Sequence, residues 1–161
     1  MIEARHTPSS RAEISLTPGK SLIYVVDDDY DVLRSLRFLL ETEGFDVRTF
    51  RSGSALLGSS TRHSADCLVV DYKMAGIDGL ELAQRLRGID VNTPIVMITG
   101  YPGEDIAARA SSAGVRKVLL KSNIEDNLVE CVRNAINQGR AATRPETSSS
   151  EYRADRLRKT P

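Results

Sequence analysis

The chain has no tryptophan, only two cysteines, and no apolar run longer than Leu22–Val26. Each scarcity removes a class of protein. Cys67 and Cys131 stand far apart in apolar surroundings, so neither a disulfide framework nor a zinc site is indicated, and buried thiols are expected. His6 and His63 lie in polar segments without ligand-spaced neighbours. Five apolar residues in a row are far too few to cross a bilayer. The first 20 residues contain no apolar signal core, and a cytoplasmic protein is expected. Charge of one sign is missing too: 22 basic side chains face 22 acidic ones. Residues 1–20 hold three basic and two acidic side chains, and residues 140–161 hold six and three. The remaining 119 residues carry 13 basic against 17 acidic, and an acidic central part argues against nucleic acid as its main partner.

What is present is an alternation of short apolar runs and amphipathic stretches. Residues 1–20, rich in Ser, Thr, Pro and Arg, read as a disordered leader, residues 21–139 as one folded domain, and residues 140–161 as a disordered basic and polar tail. A short helix over Tyr152–Arg158 would have almost no apolar face. Within the domain, Leu22–Val26 reads as the first strand. Tyr30–Glu43 reads as a helix, with Val32, Leu33, Leu36, Leu39 and Leu40 on one face and Gly44 as its stop. Phe45–Phe50 alternates loosely, as a strand near a sheet edge does. Ser52 caps a short helix over Ala55–Leu57. Leu68-Val69-Val70 shows no polar alternation, as expected of a strand buried on both faces, and it runs into Asp71.

Asp78-Gly79-Leu80-Glu81 has the form of a capping box, opening a helix through Leu80, Leu82, Ala83 and Leu86. Ile95–Ile98 reads as the fourth strand and Glu104–Ala113 as a weakly apolar helix, expected to be mobile. Val115–Leu120 reads as the fifth strand, and Ile124, Leu128, Val132 and Ile136 mark the last helix. Five strand–helix alternations predict an α/β fold, a doubly wound parallel (βα)5 sheet of flavodoxin-like order 2-1-3-4-5.

In that order the first and third strands are neighbours, and ligands bind beyond the carboxyl ends of the strands. Four strands end in chemistry: Asp27 and Asp28 close the first, Asp71 the third, Thr99 the fourth and Lys121 the fifth. Singly these are an end-of-strand helix cap, a loop acid, a turn hydroxyl and a solvated lysine. Together they place three acids on one edge, where like charges need protons or a cation. Mg²⁺, a hard octahedral ion held by one or two carboxylates, waters and phosphate oxygens, suits that need.

From about Leu22 to Ile136 the chain also resembles the receiver domains of two-component response regulators. The resemblance rests on Val25-Val26-Asp27-Asp28-Asp29, Val70-Asp71-Tyr72-Lys73-Met74, Asp78-Gly79, Ile98-Thr99-Gly100 and Lys121. It implies that Asp71 accepts a phosphoryl group, and that Asp27, Asp28, Asp71 and the backbone carbonyl of Lys73 hold Mg²⁺. Thr99 and Lys121 would then steady the phosphoryl oxygens. A histidine kinase or histidine phosphotransfer protein would be the donor. A protein target would meet the face of the fourth helix, fifth strand and fifth helix, with the chain otherwise acting as a phosphate sink. No separate catalytic domain, no DNA-binding domain and no membrane contact are expected, so the chain reads as a stand-alone, chemotaxis-receiver-like regulator.

Three positions depart from the family. Ser122 stands where proline usually follows the lysine. A cis bond before a non-proline costs about 2.5–4 kcal/mol, so Lys121–Ser122 is expected to be trans with a shifted loop. Val118 stands where the switch aromatic usually lies, and Tyr101 is the candidate substitute. Ala75 replaces a frequent proline. Ser122 and Val118 support a second reading, a receiver-like interaction module that is not phosphorylated. A nucleotide or flavin binder of this topology would need a phosphate cradle where three aspartates stand. An aspartyl phosphatase would need alternate acid spacing after the first strand.

Overall fold

A computed structural model describes residues 19–101 and 103–143, with Glu104 described by its backbone alone. Most of the expected leader and tail, including the short helix at Tyr152–Arg158, lies outside these residues.

Five strands, β1 (Leu22–Val26), β2 (Asp46–Phe50), β3 (Cys67–Asp71), β4 (Ile95–Thr99) and β5 (Lys117–Leu120), form one sheet. Every neighbouring pair is parallel and the order is β2-β1-β3-β4-β5. The helices are α1 (Tyr30–Thr42), α2 (Gly53–Leu57), α3 (Gly79–Gly88), α4 (Glu104–Ser112) and α5 (Ile124–Ala142). The expected flavodoxin-like sheet is therefore the observed one.

Alternation along the central strands explains why their sequences show no polar residues. Tyr24, Val26, Leu68, Val70, Ile95 and Met97 join Leu82 and Leu86 of α3 in one buried cluster. Ile23, Val25, Cys67, Val69, Val96 and Ile98 join Leu33, Leu40, Leu128 and Val132 of α1 and α5 in the other. Successive residues of a strand point to opposite faces, so a strand covered on both faces must be apolar throughout. β2 and β5 are the edges, and their burial is correspondingly broken.

Local signals set most of the helix starts. The Asp29 carboxylate accepts from the N–H groups of Asp31 and Val32 and caps α1. Gly44 at φ +92° stops α1 with a backbone few side chains adopt. Ser52 Oγ accepts from the Ala55 N–H at 3.0 Å, as its position predicts. Only half of the capping box forms. Asp78 Oδ1 accepts from the Glu81 N–H at 2.8 Å, but the Glu81 carboxylate turns outward to Arg85.

Two boundaries and one burial depart from expectation. β5 begins at Lys117 rather than Val115, because the Val115 N–H turns back to the Ala110 carbonyl. α5 runs through Gly139 to Ala142, so the first residues assigned to the tail are helical. A helical glycine costs only about 1 kcal/mol, and Arg140 is held by Ser21 Oγ at 3.2 Å. Cys131 is only half-buried, whereas Cys67 is buried and its thiol is pushed up to about 12 by loss of solvent. In α4, Ala110 is the only buried side chain among those described, in keeping with its weak apolar face.

Candidate functional site

Among the described residues only three polar or charged side chains are buried: Asp27, Asp71 and Thr99. Burying such groups is costly without partners, and all three sit at the carboxyl edge of the sheet. β1 delivers Asp27 and Asp28, β3 delivers Asp71, and β4 delivers Thr99, each at the last residue of its strand or just beyond it. One carboxylate oxygen from each of Asp27, Asp28 and Asp71 falls within 4.8 Å of the others.

The acids are aimed by backbone. Asp27 Oδ1 accepts from the Asp29 N–H at 2.9 Å. Asp28 Oδ2 accepts from the Ala75 N–H at 2.9 Å, tying the end of β1 to the loop after β3. Asp29 turns away to cap α1, so the three consecutive aspartates divide into two cluster members and one cap. The Ala75 contact was not foreseeable, because a backbone N–H leaves no mark in a sequence. Gly79 is a second such feature. A Cβ there would stand 2.5 Å from the Asp71 carbonyl oxygen, so only glycine lets α3 start this close to the site.

Lys121 answers the acids from the end of β5. Its Nζ lies 3.3 Å from Asp71 Oδ1, with its side chain 39% exposed against 5% for the acid. Burial pushes the Asp27 carboxyl up to about 6, with the neighbouring Asp71 charge adding to the effect. Burial also raises Asp71, while Lys121 pulls it back down. Both shifts say that the charged carboxylates pay for their burial, a cost that a bound cation would offset. The donor set, all hard carboxylate oxygen with two members desolvated, fits a divalent ion such as Mg²⁺.

The other predicted residues are near but differently engaged. The Thr99 hydroxyl bonds to the backbone of Tyr101, accepting from its N–H at 3.2 Å and donating to its carbonyl at 3.3 Å. Lys73 is exposed in the loop after β3, with Nζ 4.4 Å from the centroid of the Tyr101 ring. Tyr101 itself is 59% exposed. Val118 is half-buried, packed against the α3-side cluster. The peptide bonds of the described residues are all trans, Lys121–Ser122 included, and Lys121–Asn123 form a 3-10 turn leading into α5.

Comparison with known proteins gives this geometry a family. A family model described as "Response regulator receiver domain" matches residues 23–133, more than two thirds of the chain. The chain belongs to the response regulator receiver family. Receiver domains are signalling modules rather than separate catalytic domains. The transcriptional regulatory protein FixJ of Bradyrhizobium diazoefficiens is 34% identical over 135 residues, covering 84% of this chain and 66% of FixJ. The response regulator protein TmoT of Ectopseudomonas mendocina is 30% identical, covering 82% of this chain and 60% of TmoT. The chain thus spans less than two thirds of the length of these relatives. Among solved structures, a receiver domain from Clostridium thermocellum superposes with a TM-score of 0.70 at 27% identity. It covers 76% of this chain and 98% of that one. No helix among the described residues is long and apolar enough to cross a membrane.

Proposed function

We propose that this receiver domain accepts a phosphoryl group on Asp71 from a phosphohistidine of a histidine kinase or histidine phosphotransfer protein, with Mg²⁺ bound. The observation that carries the reading is the coincidence of the three buried polar groups with Lys121 at 3.3 Å from Asp71. An Asp71 carboxylate oxygen would attack phosphorus as the N–P bond of the donor breaks, leaving an acyl phosphate on Asp71 and a neutral imidazole on the donor. Asp27, Asp28, Asp71 and the Lys73 carbonyl would hold the ion, which offsets charge on the transferring oxygens. Lys121 supplies a second positive charge on the other side, and Thr99 has a hydroxyl to donate once it leaves the Tyr101 carbonyl.

Output would pass to a protein partner through α4, β5 and α5. A groove of about 630 Å³ runs there along the open edge of β5, between Lys117, Val118 and Leu119 and the α5 residues Asn127, Cys131 and Asn134. The expectation that the chain works alone gains no support from its relatives, which are named as transcriptional or response regulators and extend beyond the matched region. The unphosphorylated-module reading rests on Val118, which packs against the α3-side cluster, and Ser122, whose hydroxyl donates to Asn123 Oδ1.

Incubation with Mg²⁺ and a small acyl phosphate tests the proposal by intact mass. The wild type gains one phosphoryl group and Asp71→Ala gains none. An unmodified wild type would leave the interaction-module reading.

A further inference from the structure

The phospho-acceptor reading leaves open how Asp71 is read, because β5 carries no aromatic and Val118 is packed into the core face. The side chains around Thr99 offer an answer. Its hydroxyl is not turned to Asp71 but is held at both ends by the backbone of Tyr101. The ring of that same tyrosine lies under the Lys73 ammonium at 4.4 Å. Lys73 is two residues past Asp71, on the loop whose Ala75 N–H bonds Asp28. One contact therefore joins the loop after β3, which carries the acceptor, to the loop after β4, which carries the hydroxyl.

We propose that Tyr101, held by Lys73, is the aromatic that reports the state of Asp71 in this chain. The inference rests on Asp71 being the acceptor. Phosphorylation acts on both ends of the contact. For Thr99 to donate to a phosphoryl oxygen, its O–H must leave the Tyr101 carbonyl, which frees the loop that carries the ring. At the same time the added negative charge on Asp71, two residues before Lys73 in the chain, attracts the Lys73 ammonium and competes with the ring for it. The ring is held when Asp71 is bare and released when Asp71 is phosphorylated. An exposed cation–π contact shifts such a balance by about 2- to 5-fold, enough to bias an exposed loop and too little to hold it against a bound phosphoryl group.

The absence of tryptophan gives a clean probe. Tyr101→Trp in the full chain places a single tryptophan at an exposed position, where folding is not at stake. Mg²⁺ and beryllofluoride are titrated while emission is followed, and fluorine NMR reports bound beryllofluoride separately. The expected result is an emission change in Y101W that is absent from D71A/Y101W. K73A/Y101W should start nearer the bound value and move less, and K73R/Y101W should restore the full change. Unchanged emission with beryllofluoride bound would overturn the proposal, as would a K73A/Y101W response identical to that of Y101W. No bound beryllofluoride in the wild type would instead overturn the acceptor reading, and this inference with it.

Discussion

At the ends of β1 and β3 three carboxylates gather, two of them buried; backbone fixes two of the three, Asp27 taking the Asp29 N–H and Asp28 the Ala75 N–H. At the ends of β4 and β5 the corresponding groups are held more loosely. Thr99 bonds only a loop tyrosine, Lys121 is partly exposed, and the residues after each are turn. The first region is built to hold a charge in place and the second to change partners. That difference is also where the chain departs most from its family: at the acid end only Ala75 replaces a frequent proline, contributing its backbone N–H, whereas Val118 and Ser122 both fall at the other end. Binding chemistry needs particular oxygens at particular distances, whereas read-out needs only that some group move when the charge changes.

The largest effect that separates the two ends should come from Lys121→Ala, which removes the cation facing Asp71 while leaving the acid cluster intact. Phosphoryl uptake from a small donor should slow about 100-fold, the usual cost of losing one preorganised charge at a reacting centre. Mg²⁺ affinity, measured by calorimetry, should not fall. A parallel loss of Mg²⁺ affinity would mean that the ends are not separable.

Asp27→Asn probes the acid end from the side of stability. The folded carboxyl is raised from 3.8 to about 6, so the folded state binds the proton more tightly than the unfolded one. Without a divalent ion, this group's contribution to stability falls as pH rises through that window and is level above it. A shift of this size corresponds to about 3 kcal/mol. Asp27→Asn, which keeps an oxygen for the Asp29 N–H, should therefore be more stable than wild type at pH 7 by up to about that amount. The gap should close toward pH 4 and narrow under saturating Mg²⁺. A variant less stable than wild type at pH 7 without metal would contradict the reading of Asp27 as a costly buried charge.

Gly79→Ala should cost about 1–3 kcal/mol of stability, read from urea midpoints, because the added methyl meets backbone oxygen at 2.5 Å and that oxygen belongs to Asp71. Phosphoryl uptake should fall with it. Val118→Ala is the mildest change, about 1 kcal/mol for a half-buried valine. It should leave the Tyr101→Trp response to beryllofluoride unaltered. A lost response would move the read-out from Tyr101 back to β5.

Much of the acid end was legible in the sequence for a physical reason. A strand covered on both faces must be apolar to its last residue, so Leu68-Val69-Val70 announces where the sheet stops and Asp71 begins the chemistry. The same holds for Leu22–Val26 and Asp27. Helix caps at Ser52 and Asp78 were readable because a cap is a contact across two or three residues. What escaped is what depends on which of several partners, near or far in sequence, a group takes. Glu81 left the capping box for Arg85, β5 started late because the Val115 N–H bonds back to α4, and α5 passed Gly139 because Arg140 finds Ser21. The Lys73–Tyr101 contact and the Ala75 N–H on Asp28 join separate loops, and no local pattern encodes either.

The account stands on Asp71 taking the phosphoryl group in the company of a bound cation. Peptide mapping by mass spectrometry after treatment with a small acyl phosphate, with Mg²⁺ and with chelator, measures this directly. The phosphoryl group should appear only with Mg²⁺, and only on the peptide that contains Asp71. A phosphoryl group on another peptide, or equal labelling in chelator, would contradict it.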